Sequence, residues 1–321
     1  MKQLLITFII IFICLPVSGY SETGDAGQAA RYLRIGVGAR ALGIGGAFVS
    51  ICDDASATYW NPAGLTQLTQ REMTSMASLM SLDRRYNFLN YVAPLADRTN
   101  TIGFSLINFA VKDLREFVKK GEIDEEVGRF NDTENTFMVS CARKLNDKLA
   151  IGVNLKYLTQ QMNPTRIDPK GRPKAKGLGI DIGTLYKLSD NINVGLMLQD
   201  IRSYLKWETD HGDRLPLVVK LGVSTRLFDD RLTLSADLEQ IEDNHRTRIY
   251  AGLEYWLREN IGLRGGIFDT EPTAGLSFIF PLQTLNLQLD YSFAPDRFSD
   301  FKDNISGSER YNHRFSLSVK F

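Results

Sequence analysis

The chain has 321 residues, 38 basic and 38 acidic side chains and a pI near 6.8, so it lacks the basic excess that nucleic-acid binding requires. Hydrophobic content of 43% and charged content of 24% are ordinary for a folded domain. After residue 20 no apolar run reaches the roughly 18 residues of a helical membrane span.

The first element is a secretory signal peptide, residues 1–19. Lys2 supplies the positive start, "LLITFIIIFICL" (Leu4 to Leu15) the apolar region, Pro16 a break, and Val17 and Gly19 the small residues before the cut. The competing reading is a membrane anchor, for which the run is too short. Ile13 before Cys14 is not small, which argues against a lipoprotein cysteine. Cys14 leaves with the signal. Cys52 and Cys141 are no disulfide framework, and His211, His245 and His313 show no metal-ligand spacing, so neither metal nor cofactor is expected.

Residues 20–71 have no clear period and are rich in Gly and Ala. They end in "YWNPAGL", whose Asn61-Pro62-Ala63-Gly64 fits a type I turn: Asn61 bonds back to the backbone, Pro62 presets φ and Gly64 closes the turn. Gly36 to Ala41 spells G-x-G-x-x-A, but the βαβ frame of a dinucleotide site is missing. Asp53 and Asp54 suit either a cation or a pairing with Arg40, and pairing is the simpler reading.

From residue 72 onward the hydrophobic period is two. In "IGVNLKYL", Ile151, Val153, Leu155 and Tyr157 share one face, with Gly152, Asn154 and Lys156 on the other. About fourteen such segments follow one another. Tight links such as "LNDK", "LSDN" and "REN" alternate with mostly longer ones at 112–132, 160–176, 202–213 and 295–309. That parity belongs to outer-membrane barrels, with short turns at one end and long loops at the other. A secreted β-sandwich also alternates. Strand length, number and the closing run Phe315, Leu317, Val319, Phe321 favour an all-β, transmembrane antiparallel barrel over 72–321. Lys156, Asp181, Lys187, Lys220, Arg226, Asp237, Glu239, Glu254, Arg264 and Asp290 then point inward as mixed-sign pairs. Gly152, Gly183, Gly195, Gly222, Gly252 and Gly262 leave room for another segment to approach the wall.

Residues 20–71 are expected to be that segment, a plug in the lumen, with "NPAG" a rigid corner and "ALGIGGAF" its flexible part. The alternative is a disordered periplasmic N-terminus, against which "AFVSI" and "ATYW" are rather apolar. The long links read as solvated loops. "LREFV" within 112–132 suits a turn or two of helix, and that link and the basic one at 160–176 are alternative docking surfaces.

The stretch "YLRIGVGARALGIGGAFVSICDDASATYWNPAGL", Tyr32 to Leu65, resembles the opening of PorV/PorQ-type proteins, a branch of the FadL-like outer-membrane barrels. Ile44 and Cys52 depart from the residues common there. The resemblance implies a barrel of about fourteen strands in the bacterial outer membrane, with a plug motif on Arg40, Asp53, Asp54, Trp60, Asn61, Pro62, Ala63 and Gly64. FadL-like members move hydrophobic compounds such as fatty acids. PorV members act in type IX secretion, docking cargo or the attachment machinery. Partners are accordingly outer-membrane lipid, a hydrophobic ligand and type IX components, without nucleic acid. An apolar pocket under the long loops is expected from Phe117, Phe130, Trp207 and Phe298. No nucleophile elbow or H-E-x-x-H appears, and Asp243 with His245 is a loop pair, so no enzyme is expected.

Overall fold

Alternation sets the fold, because one face of every strand is apolar and must leave water while the other cannot enter hydrocarbon. The computed structural model describes residues 29–81, 83–120, 123–163, 173–208, 211–242, 247–296 and 311–321. The strands are β1 (Glu72–Leu79), β2 (Arg84–Pro94), β3 (Asn100–Lys120), β4 (Ile123–Lys144), β5 (Leu149–Asn163), β6 (Lys174–Ser189), β7 (Ile192–Trp207) and β8 (Gly212–Arg214). They continue as β9 (Val218–Leu227), β10 (Leu232–Ile241), β11 (Thr247–Arg258), β12 (Ile261–Phe268), β13 (Glu271–Pro281), β14 (Asn286–Pro295) and β15 (Tyr311–Lys320). Fourteen pair antiparallel in chain order, with β7 joined to β9, and β1 pairs β15 from Glu72↔Lys320 to Leu79↔His313. The ring is closed, and β8 is a short addition to the end of β7.

The apolar face points out. On β5, Leu155 is 57% exposed while Asn154 and Lys156 are 0% and 3% exposed. Phe104, Leu178 and Phe315 stand out in the same way, and Cys141 lies on this outer face. No helix among the described residues is long and apolar enough to cross a membrane; the strands form the wall.

Residues 29–70 lie against the inner face and are almost wholly buried. They hold only short elements: a 3₁₀ turn at Arg31–Arg34, helical turns at Ala39–Gly43 and Ala57–Trp60, and a 3₁₀ helix at Pro62–Gln67. Bonds to the wall run round the barrel. The Ala39 N–H donates to Ser316 Oγ of β15 and the Val49 N–H to Asp237 of β10. Asn90 of β2 and Asn154 of β5 donate to the Ala55 and Thr58 carbonyls, and Thr273 of β13 to that of Gly43.

Several expectations change. The link 112–132 is mostly strand: β3 and β4 run 21 and 22 residues and form one hairpin out to Lys120 and Ile123. "LREFV" is therefore extended rather than helical. A bulge after Val111, with Asp113 at φ 55° and its N–H on the Asn131 side chain, lets the ladder resume at Leu114↔Phe130. Lys187 is not lumenal. β6 has reached the short-turn rim there, and Lys187 pairs with Asp190 in water at 3.1 Å. The signal peptide, Asp243, His245, Phe298 and the basic centre of the 160–176 link fall outside the described residues.

This orientation is testable on one side chain. Leu155→Arg, on the outer face, should destabilise the barrel in lipid vesicles by about 2–4 kcal/mol, read from urea unfolding. An unchanged midpoint would place that face away from hydrocarbon.

Candidate functional site

The inner segment is seated by one asparagine. Asn61 Oδ1 accepts the Ala63 N–H at 3.1 Å, and Asn61 Nδ2 donates to the Val49 carbonyl and to the Thr184 carbonyl of β6, each at 2.9 Å. One side chain thus caps the 3₁₀ helix, ties it to the rest of the segment and fastens it to the wall. The Gly64 N–H bonds the Asn61 carbonyl at 2.9 Å, the turn expected of "NPAG", which continues as helix instead of reversing. A methyl group on Gly64 would enter Cys52.

The wall is hollowed where the segment touches it. A Cβ on Gly152 would collide with the Pro62–Ala63 backbone, and one on Gly183 with the Asn61 side chain. Gly195 and Gly252 face the Val49 and Ile44 carbonyls in the same manner, whereas Gly222 and Gly262 lie under Asp237 and Trp256. "ALGIGGAF" is packed rather than loose. Gly45, at φ 74°, meets the Ile267 and Ala251 carbonyls so closely that a side chain is excluded twice over, by conformation and by space.

Charge locks the segment from the short-turn side. Arg40 holds Asp53 at 2.5 Å, Asp54 at 2.9 Å and Glu254 of β11 through two bonds at 2.7 and 2.9 Å. Asp53 reaches Arg226 of β9 at 2.9 Å, and Glu254 reaches Arg264, which holds Asp290 at 3.1 Å. Burial pushes the Asp53 carboxyl up, but Arg40 and Arg226 more than reverse this and hold it below its usual range. Burial also lowers Arg40, yet Asp53 and Glu254 outweigh it and keep the guanidinium charged. Burial above all pushes the Cys52 thiol up, so it stays neutral. A second cluster joins Lys156 to Asp181 at 2.6 Å and to Asp200. A third joins Lys220 and Arg248 to Glu239, with the Lys220 ammonium 5.5 Å from the centre of the Trp60 ring. The Trp60 indole donates to the Val37 carbonyl at 2.9 Å.

Toward the long-loop end the inner face turns aromatic. Register pairs run Tyr86↔Phe109, Phe109↔Glu134, Glu134↔Gln160, Gln160↔Ala175 and Ala175↔Trp207, a single row across β2 to β7. Tyr32 of the inner segment stacks on Phe109 with centroids 6.0 Å apart, and its hydroxyl bonds that of Thr136. Burial, then the nearby Glu134 carboxylate, push the Tyr32 hydroxyl up, so it remains protonated. Tyr250 and Phe268 pack edge to face elsewhere on the inner wall.

Of the residues expected in a pocket, Trp207 ends this row, its indole donating to Asp213 at 2.6 Å. Phe130 is half-buried on β4. Phe117 stands 53% exposed on the projecting hairpin. Arg40, Asp53, Asp54, Trp60, Asn61, Pro62, Ala63 and Gly64 all belong to the buried inner segment and its lock. Tyr32, Tyr86, Phe109 and Glu134 were not anticipated. Their signal was available: Tyr86 and Phe109 are rings on the inward face, which also carries much Ser, Asn and charge beside apolar residues such as Phe88 and Ile107.

The family described as type IX secretion system protein PorV matches residues 22–227, well over half the chain. No curated protein matches. Among solved structures, the Pseudomonas putida toluene transporter TodX is 14% identical, with 89% of this chain and 96% of that one covered and a TM-score of 0.58. The CymD monoaromatic hydrocarbon channel is 14% identical over 89% and 97%, with a TM-score of 0.60. A Pseudomonas aeruginosa FadL homologue is 12% identical over 88% and 97%, with a TM-score of 0.51. At these identities the likeness is one of fold.

Arg40→Met should free the inner segment while the barrel stays closed. Removing the shared cation strands buried carboxylates at a cost of about 3–5 kcal/mol. Proteolysis within 29–70 should rise while heat-modifiable gel migration persists. Acid should act alike: because Asp53 is depressed, its contribution is complete above the unfolded value of about 4 and fades as pH falls through the lower folded value. Protease resistance unchanged by Arg40→Met would refute the lock.

Proposed function

This chain belongs to the PorV family of type IX secretion system proteins, and from that premise we propose that it is a plugged outer-membrane barrel that binds an apolar small molecule at the outer end of its lumen and passes it across the membrane. Residues 1–19 direct its export, 20–71 form the plug and 72–321 the barrel. One observation carries the ligand reading: the row from Tyr86 through Phe109 to Trp207, roofed by Tyr32, gathers aromatic rings at the outer end of an inner face that also carries much charge and amide. Much of the remaining wall is filled by Ser, Asn and paired ions, with single apolar residues such as Met76, Phe88 and Met197 among them. Aromatic surface instead offers apolar area and stacking. Structures of the same fold are named for toluene and monoaromatic hydrocarbons, which suits such a surface.

A second reading rests on the family and on the β3–β4 hairpin. Beyond Val111 and Asn131 the hairpin runs past its last described pairs with β2 and β5 and projects from the wall, where a strand can be offered to a partner. On this reading the hairpin docks type IX components.

The two readings separate experimentally. With the barrel in vesicles, radiolabelled toluene should bind, and Phe109→Ala should weaken binding by about tenfold or more, the loss expected for one buried ring. Absence of binding by the unaltered protein, together with capture of type IX components from an envelope extract that is lost when 114–129 is deleted, would make docking the function.

A further inference from the structure

The aromatic row contains one group that packing does not explain. Glu134 is 9% exposed, points inward between Phe109 and Gln160, and makes no hydrogen bond or ion pair among the described residues. The other buried carboxylates all have donors. Asp54 and Glu254 have Arg40, Asp181 and Asp200 have Lys156, and Glu239 has Lys220. Asp290 has Arg264, Asp296 has Arg84, and Glu72 and Asp237 accept the Ala55 and Val49 amides. The charge acting on Glu134 is Asp132, of the same sign, which is itself held by the Gln160 side chain at 3.0 Å. A buried carboxylate beside a second one, with no cation on it among the described residues, is costly in a wall whose other described buried carboxylates are compensated.

We propose that Glu134 and Asp132 receive a cationic group of the ligand, so that the bound molecule is an amine or guanidinium carried on an apolar or aromatic body. The inference rests on the apolar-ligand reading and adds the charge to it. The geometry suits both halves of such a molecule. The ammonium meets Glu134, with Asp132 adding to the field. The body packs against Phe109 and Tyr86, which Tyr32 covers in this structure. Ring faces also attract the cation itself. A fatty-acid carboxylate would be repelled at the same place.

The test uses three water-soluble or volatile probes of one size: phenethylamine, ethylbenzene and phenylacetate. Their binding to the intact barrel in vesicles is read by calorimetry and tryptophan fluorescence. Phenethylamine should bind at least about tenfold more tightly than either other probe, the value of a charge-assisted bond. Glu134→Gln should remove most of that preference and Glu134→Asp retain part of it, with heat-modifiable migration confirming that both variants fold. Equal or tighter binding of ethylbenzene, with a ratio unmoved by Glu134→Gln, would overturn the cationic inference and leave the apolar reading standing. Failure of all three probes to bind would overturn both.

Discussion

Everything inside this molecule follows from the ladder that closes it. Hydrocarbon offers no partner to a peptide N–H or carbonyl, so a sheet crossing it must have no edge. The pairing of β1 with β15, extended by reciprocal bonds between Arg71 and Phe321, removes the last one. Closure in lipid turns the apolar faces outward and imprisons the polar ones. The interior is therefore the inverse of an ordinary core: charges and amides line a tube too wide for their own side chains to fill. Each must find a partner across the lumen or on whatever occupies it.

The inner segment meets that demand with backbone. Its short helical turns leave amides and carbonyls free, and Ser316, Asp237, Asn90, Asn154 and Thr273 take them up from five strands, while the Thr184 carbonyl of a sixth accepts the Asn61 side chain. Backbone reaches backbone only where no side chain intervenes, which is why glycines lie under the segment at 152, 183, 195 and 252. The Asn-Pro-Ala-Gly sequence has the complementary role. Asparagine bonds in three directions at once, proline starts the helix at its fixed φ, and glycine fits against Cys52. The charge lock then fixes the opposite side of the segment on Glu254 and Arg226, through an arginine that touches three carboxylates.

Most of this was legible from periodicity, and the failures are local. Period two reports which face a residue occupies, so Lys156, Asp181, Lys220 and Glu254 were placed correctly. It is silent about where along a strand the membrane ends, and so Lys187 was sent inward when it sits past the rim. Charge density misled at 112–132, because a hairpin standing in water is as polar as a loop, and only cross-strand pairing distinguishes them. The glycines of "ALGIGGAF" read as freedom because composition cannot tell a flexible glycine from one pressed between two carbonyls. The aromatic row was missed for a different reason. Its members are one or two per strand, and only the register that aligns Tyr86, Phe109 and Glu134 makes them neighbours.

The same arithmetic limits how such a barrel could open. Six of the wall bonds at about 1 kcal/mol each, with a buried ionic lock worth about 3–5 kcal/mol, already place wholesale withdrawal of the segment at least on the order of 10 kcal/mol uphill. At most roughly one molecule in ten million would be open at equilibrium. The turn over the aromatic row is differently held. Arg31–Arg34 is fastened by a different set of contacts, among them Tyr32 on Thr136, Tyr32 stacked on Phe109, and the Leu33 carbonyl, which accepts the Tyr59 hydroxyl at 2.6 Å. These contacts do not involve Asn61 or Arg40, so the outer end of the segment and its inner end are held by separate groups.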